Sequence, residues 1–212
     1  MKLYITLLGL FLLSLLQAQD NDEFKTIFSG REMNGYGSFS LGASMIDTSA
    51  AIIFSSRGGV ILGHSFAMGL GGSGFVTKYQ EDPYLNMKAS LSGGYGGVFM
   101  ELILFSRSPV HLSVPVLAGI GEAMYSSWIN EGTDYRQVNE VEDASTFLVV
   151  EPGVNLEFNL SKNVRLAACL NMRYTTDLNI TRTTTSGGNV NLVSPDALNG
   201  YSTGVIIKFG KF

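Results

Sequence analysis

The chain has one cysteine, two histidines and few charges, with 14 Lys and Arg and 18 Asp and Glu making up 15% of 212 residues. Each scarcity removes a class of function. Cys169 has no second cysteine to pair with, so no internal disulfide holds the fold. No Cys or His pair stands at metal-ligand spacing, so neither a metal site nor a cofactor is expected. Acid–base catalysis needs a positioned base. His64 falls in a turn between two strand patterns and His111 follows another turn, so both read as turn or lumen residues. No catalytic residue, and no enzyme, is expected. An acidic balance without any basic cluster argues against a nucleic-acid partner.

Long hydrophobic runs are also scarce. Residues 3–16 are apolar but fall short of the roughly 20 positions a spanning helix needs. Lys2 ahead of that run and Gln17-Ala18-Gln19 behind it give the charged start and small-residue exit of a secretory signal, residues 1–18, cleaved after Ala18. Without Lys2, 13 basic residues face 18 acidic ones and the net charge becomes −5. Residues 58–77 are free of charge, yet their seven glycines, at about 1 kcal/mol each in a helix, favour a strand. Within that stretch Gly69-Leu70-Gly71-Gly72-Ser73-Gly74 spells a dinucleotide motif. That motif has meaning only between a strand and a helix, and here Phe75-Val76-Thr77 and a polar loop follow.

What the chain has in quantity is 25 glycines and alternation. Residues 146–160 put Thr146, Leu148, Val150, Pro152, Val154, Leu156, Phe158 and Leu160 on one parity. Phe147, Val149, Glu151, Gly153, Asn155, Glu157 and Asn159 take the other, which is the period of a strand. After a turn at residues 161–163, Val164, Leu166, Ala168, Leu170, Met172 and Tyr174 alternate with Arg165, Ala167, Cys169, Asn171 and Arg173. The two halves form a hairpin with one long apolar face, close to the roughly 9–11 residues of a tilted bilayer-crossing strand. The same period predicts strands with outward sets Phe39, Leu41, Ala43, Met45; Ala50, Ile52, Phe54, Val60, Leu62; Phe66, Met68, Leu70, Val76; Val98, Met100, Leu102, Leu104; and Val110, Leu112, Val114, Val116, Ala118, Ile120. A last strand covers residues 199–212, which makes eight. Glu122 falls on an outward parity, so the bilayer must end before it or a bulge must intervene.

The connections alternate in character. Those at Gly63-His64, residues 107–109 and residues 161–163 are short. Those at residues 78–88, 130–143 and 180–198 are longer and polar, while Asp47-Thr48 is a short exception. Short turns at one rim and long loops at the other mark a transmembrane barrel. A spanning protein made of strands must close on itself, because hydrocarbon leaves no partner for a free backbone amide. The expected fold is therefore all-β, an eight-stranded antiparallel transmembrane β-barrel over residues 35–212, preceded by a periplasmic extension at residues 19–34. Aromatic girdles are expected from Phe66 and Phe158 near the short turns and from Tyr174 and Trp128 near the long loops.

Arg57, Glu101, Glu151, Glu157, Arg165, Arg173 and Lys208 all share the non-apolar parity and are expected to line the lumen as a polar network. With a three-residue turn Leu160 faces Val164, and counting back sets Glu151 opposite Arg173 as an inward contact, with Glu157 opposite Ala167 and diagonal to Arg165. An eight-stranded barrel is just wide enough to be filled by its own side chains, so the network is expected to plug the lumen. The glycines make room for it.

The signal segment, the glycine-rich alternating strands and the ending Lys208-Phe209-Gly210-Lys211-Phe212 resemble the small eight-stranded outer-membrane β-barrels of Gram-negative bacteria, of OmpA/OmpX-type architecture. That resemblance implies location in the cell outer membrane, contact with its lipid, and recognition of a terminal Phe by the barrel-assembly machinery. Phe212 matches, whereas Phe209, Ile207 and Val205 lie on the other parity. The architecture hosts several functions. The reading is a non-enzymatic barrel whose external loops offer a binding or structural surface to an unknown ligand. Its rivals are a barrel enzyme acting on lipid and a soluble secreted barrel holding an apolar ligand. The soluble barrel would need apolar residues inside and charges outside, the inverse of the pattern here.

Overall fold

A computed structural model of the chain describes residues 33–82, 87–128, 139–183 and 189–212. The expected signal at residues 1–18 and most of the expected extension lie outside the described residues. The strand pattern begins at Met33, so Met33 and Asn34 belong to the first strand and not to the extension.

In chain order the elements are β1 (Met33–Ile46), β2 (Ser49–Leu62), β3 (Phe66–Thr77), β4 (Gln80–Asp82), β5 (Met87–Leu104), β6 (Val110–Trp128), β7 (Asn139–Asn159), β8 (Val164–Thr175), β9 (Thr181–Thr183), β10 (Asn189–Asn191) and β11 (Gly200–Gly210). Every long strand pairs antiparallel with its neighbours, and the pairings β1 to β11 and β3 to β5 close the sheet. The result is an all-β, eight-stranded closed barrel without a helix among the described residues. The short β4 extends the β3 edge along β5, and β9 and β10 form a separate ribbon.

The parity of the strands follows the sequence pattern. Phe39 at 64%, Leu70 at 68% and Leu148 at 59% exposure stand on the outside with the rest of the apolar sets, while Glu101, Glu157 and Arg173 are buried within. Leu62 departs from its set, being buried at the short-turn rim. Glu122 is exposed on the outer face, and the register shift in its strand comes later, between Tyr125 and Ser126. The bulge therefore does not turn this carboxylate inward. Of the expected girdle residues, Tyr174 and Phe158 are exposed and Phe66 is half-buried, while the Trp128 side chain lies outside the described residues.

One connection is shorter than the sequence suggests. β6 and β7 run on to Trp128 and Asn139, so residues 139–143 are strand where a loop was expected. The wall made by β5, β6 and β7, with 18, 19 and 21 residues, stands taller than β1, β2 and β3, with 14, 14 and 12. The turn at Asp47-Thr48 has φ of 45° and 67°, the pair of positive values that matches a two-residue hairpin to strand twist. At Gly71 an added Cβ would come within 2.9 Å of Arg57 Cγ. Its absence lets the long Arg57 side chain cross the interior.

Candidate functional site

The inward side chains fall into layers, and the lowest, toward the short turns, is polar. Glu101 from β5, Glu157 from β7 and Lys208 from β11 converge, with Lys208 Nζ donating to Glu101 Oε1 at 2.6 Å and to Glu157 Oε1 at 2.5 Å. In barrel order β11 and β5 lie on opposite walls, so this contact bridges the interior. The Ser113 hydroxyl lies 2.5 Å from Glu101 Oε1 and 2.6 Å from Glu157 Oε1, and accepts from Asn155 Nδ2 at 3.0 Å. Tyr36 donates to Glu101 Oε2 at 2.9 Å. Arg165 reaches Glu157 Oε2 at 3.5 Å, and its guanidinium stacks over the Phe212 ring with its carbon 4.0 Å from the centroid. Phe212 also packs against Tyr36. The terminal ring is thus turned toward the lumen, while Phe209 is exposed on the outer face.

His111, which the sequence placed as a turn or lumen residue, is buried and holds Glu157 Oε2 through Nε2 at 3.1 Å. Its ring is engaged by that carboxylate and not by Ser113. A nucleophile–base pair requires hydrogen-bond contact between the two, and this arrangement lacks it.

In the middle layer Arg57 on β2 reaches Glu151 Oε1 on the facing β7 at 3.5 Å, and Tyr95 donates to Glu151 Oε2. Here one expectation is corrected. The hairpin register is as counted, with Val150 opposite Tyr174, Gly153 opposite Asn171 and Glu157 opposite Ala167. Arg173 nevertheless makes no hydrogen bond to Glu151, because its Nε donates to the Leu198 carbonyl at 2.6 Å. The chain returning over the mouth offers an acceptor that register arithmetic could not see. Two cavities of about 20 Å³ each border this layer, one lined by Arg57, Lys208 and Asn171 and the other by Ser55, Glu151 and Ser202. Each is the size of one water.

The upper layer is apolar, which the sequence reading missed. Ile46, Ile53, Phe75, Leu91, Phe147 and Val149 line the wall, and Leu178, Ile180, Val193 and Leu198 come down onto them from the connection between β8 and β11. This connection was expected to be a polar loop. It crosses the mouth instead: Asn179 N–H donates to Ser145 Oγ at 3.0 Å and Thr181 N–H to Asp143 Oδ2 at 2.8 Å on the tall β7 wall. On the far side Asp47 N–H donates to the Ala197 carbonyl at 3.2 Å. Beside this cap a cleft of about 210 Å³ opens between Leu192 and Val193 and the β3–β5 edge at Lys78 and Ser90.

No protein-family pattern matches the chain, and no curated protein matches it in sequence. Solved structures do match in fold. Neisserial surface protein A superposes with a TM-score of 0.51 at 11% identity, covering 87% of this chain and all of its own. A major outer membrane protein from Thermus thermophilus gives 0.53 at 11% identity, covering 83% of this chain and 98% of its own. The chain thus shares the barrel fold of small outer-membrane proteins.

Proposed function

We propose that the chain is an integral protein of the bacterial outer membrane, non-enzymatic, closed to solutes by its own side chains and presenting a binding or structural surface at its long-connection rim. The distribution of polarity supports this reading: large apolar side chains surround the outside, while seven charged groups at Arg57, Glu101, Glu151, Glu157, Arg165, Arg173 and Lys208 point inward. A soluble protein would leave that apolar band in water, far beyond the few hundred Å² that monomers commonly expose. Lipid is the partner that fits it. The outward Phe209 and the terminal Phe212 form the segment offered to the barrel-assembly machinery, with residues 1–18 as the export signal. Ion pairs that bridge facing walls make the interior a plug, and the unknown ligand of the rim would meet the cap and its neighbouring cleft.

Expression in a Gram-negative host followed by fractionation is the test. The protein is expected in the outer membrane, with different gel mobility before and after boiling and no steady conductance in a planar bilayer. Recovery in the soluble periplasmic fraction would overturn the membrane reading, and stable single-channel steps would overturn the plug.

A further inference from the structure

The short-turn rim carries charge of one sign. Residues 63–65, 105–109, 160–163 and 211–212 hold His64, Arg107, Lys162 and Lys211 and no Asp or Glu. The opposite rim mixes signs, with Lys78 beside Asp47 and Glu81 around its cleft. At one place the basic rim is recessed. A groove of about 420 Å³ lies between the β2–β3 turn and the β5–β6 turn, lined by His64, Ser65, Phe105, Ser106, Arg107 and Ser108. The two turns are joined, since Ile103 N–H donates to the Ser65 carbonyl at 2.7 Å, and Ser108 N–H closes the second turn on the Phe105 carbonyl at 2.8 Å. The groove is thus part of the fold.

Phe105 breaks the alternation of its strand. A φ of 58°, rare for a bulky residue, leaves it 75% exposed directly after Leu104 at 45%. Two consecutive side chains stay outside where period two would send one in. With Leu102 they make an apolar ladder down the outer face, and its foot is the polar groove. There Arg107 is exposed and has no carboxylate partner among the described residues. A planar guanidinium with several hydroxyls that rotate to suit is a donor set that matches a phosphate group. A free phosphate would leave the Phe105 ring in water, and a neutral lipid would leave Arg107 unpaired. A molecule with acyl chains and an anionic phosphate satisfies both.

Resting on the outer-membrane reading above, we propose that this groove seats the phosphate of an anionic phospholipid, whose acyl chains lie along Leu102, Leu104 and Phe105. The test titrates the full chain, folded in a maltoside detergent, with phosphatidylglycerol, with diacylglycerol and with inorganic phosphate while thermal unfolding is followed. The midpoint is expected to rise with phosphatidylglycerol and with neither of the others. Arg107→Gln should weaken the apparent phosphatidylglycerol affinity about tenfold, whereas Lys162→Gln, on another turn of the same rim, should leave it unchanged. No rise, an equal rise with diacylglycerol, a rise with phosphate alone, or equal weakening in both variants overturns the proposal. A protein that enters liposomes yet ignores phosphatidylglycerol overturns this site alone; one that stays soluble without detergent overturns the membrane reading and the site together. If Arg107→Gln does not fold, the unaltered protein decides by photo-crosslinking to phosphatidylglycerol labelled in its headgroup. Label on residues 63–65 or 105–108 supports the site, and label elsewhere alone overturns it.

Discussion

The two ends of the lumen are closed by different physics. Toward the short turns, Glu101, Glu157, Lys208 and Arg165 join facing walls through charge-assisted contacts at 2.5–3.5 Å. Toward the long connections, Leu178, Ile180, Val193 and Leu198 press an apolar layer onto Phe75, Phe147 and Val149. The lower closure belongs to the strands themselves, since each participant sits on a rung of the sheet. The upper closure is made by residues 176–183 and 189–199, which lie outside the eight long strands. A polar layer depends on having every partner present, whereas an apolar layer depends on volume.

That contrast can be broken at either end. The largest loss is expected from Lys208→Met, which leaves two buried carboxylates with one cation between them and should cost about 3–5 kcal/mol. Replacing Lys208 and Glu101 together by Met and Leu should restore much of it, and denaturant unfolding in micelles would read both. Leu198→Ala empties part of the cap and should cost about 2–5 kcal/mol, with the boiled and unboiled gel bands still distinct because the sheet remains closed. A double-mutant cycle on Arg57→Gln and Glu151→Gln should return a coupling of about 0.5–3 kcal/mol, and the same cycle on Glu151 and Arg173 should return a smaller one. A strong coupling of Glu151 to Arg173 would mean that the guanidinium leaves Leu198. Least of all, Thr48→Gly should raise stability by about 0.5 kcal/mol, the left-handed strain of a β-branched residue less the backbone entropy that glycine loses on folding.

Much of the barrel was legible in the chain because alternation and turn length are local signals. Val98, Met100, Leu102 and Leu104 could be sent outward because that parity turns Glu101 inward, although both faces of the strand are apolar there, and one three-residue turn fixed the rungs from Glu157 to Val150. Contacts between non-neighbouring strands were not legible. Nothing near Lys208 announces Glu101, because the two meet only after the sheet has curved through half a turn. The cap was hidden for a related reason: Leu178, Ile180 and Val193 are scattered among Thr, Asn and Gly, so their window reads as polar. Their burial comes from where the chain crosses. The parity of Phe212 was readable, but its stacking on Arg165 and Tyr36 depends on three strands meeting at one rim.

The cap and the strand that seals the barrel are one continuous stretch, and this has a kinetic consequence. β11 must find β1, joining Tyr36 to Gly210 and Ser44 to Ser202, the most distant pairing in the sheet and hence the one with the heaviest loop-closure entropy. Residues 189–199 lead directly into it, and their bond from Asp47 to Ala197 lies beside the same seam. Until β11 zips, this segment has no fixed far end and cannot settle across the mouth. We therefore expect the cap to be the last part to gain protection from hydrogen exchange during folding and the first to lose it, with barrel closure acting as the clock for both.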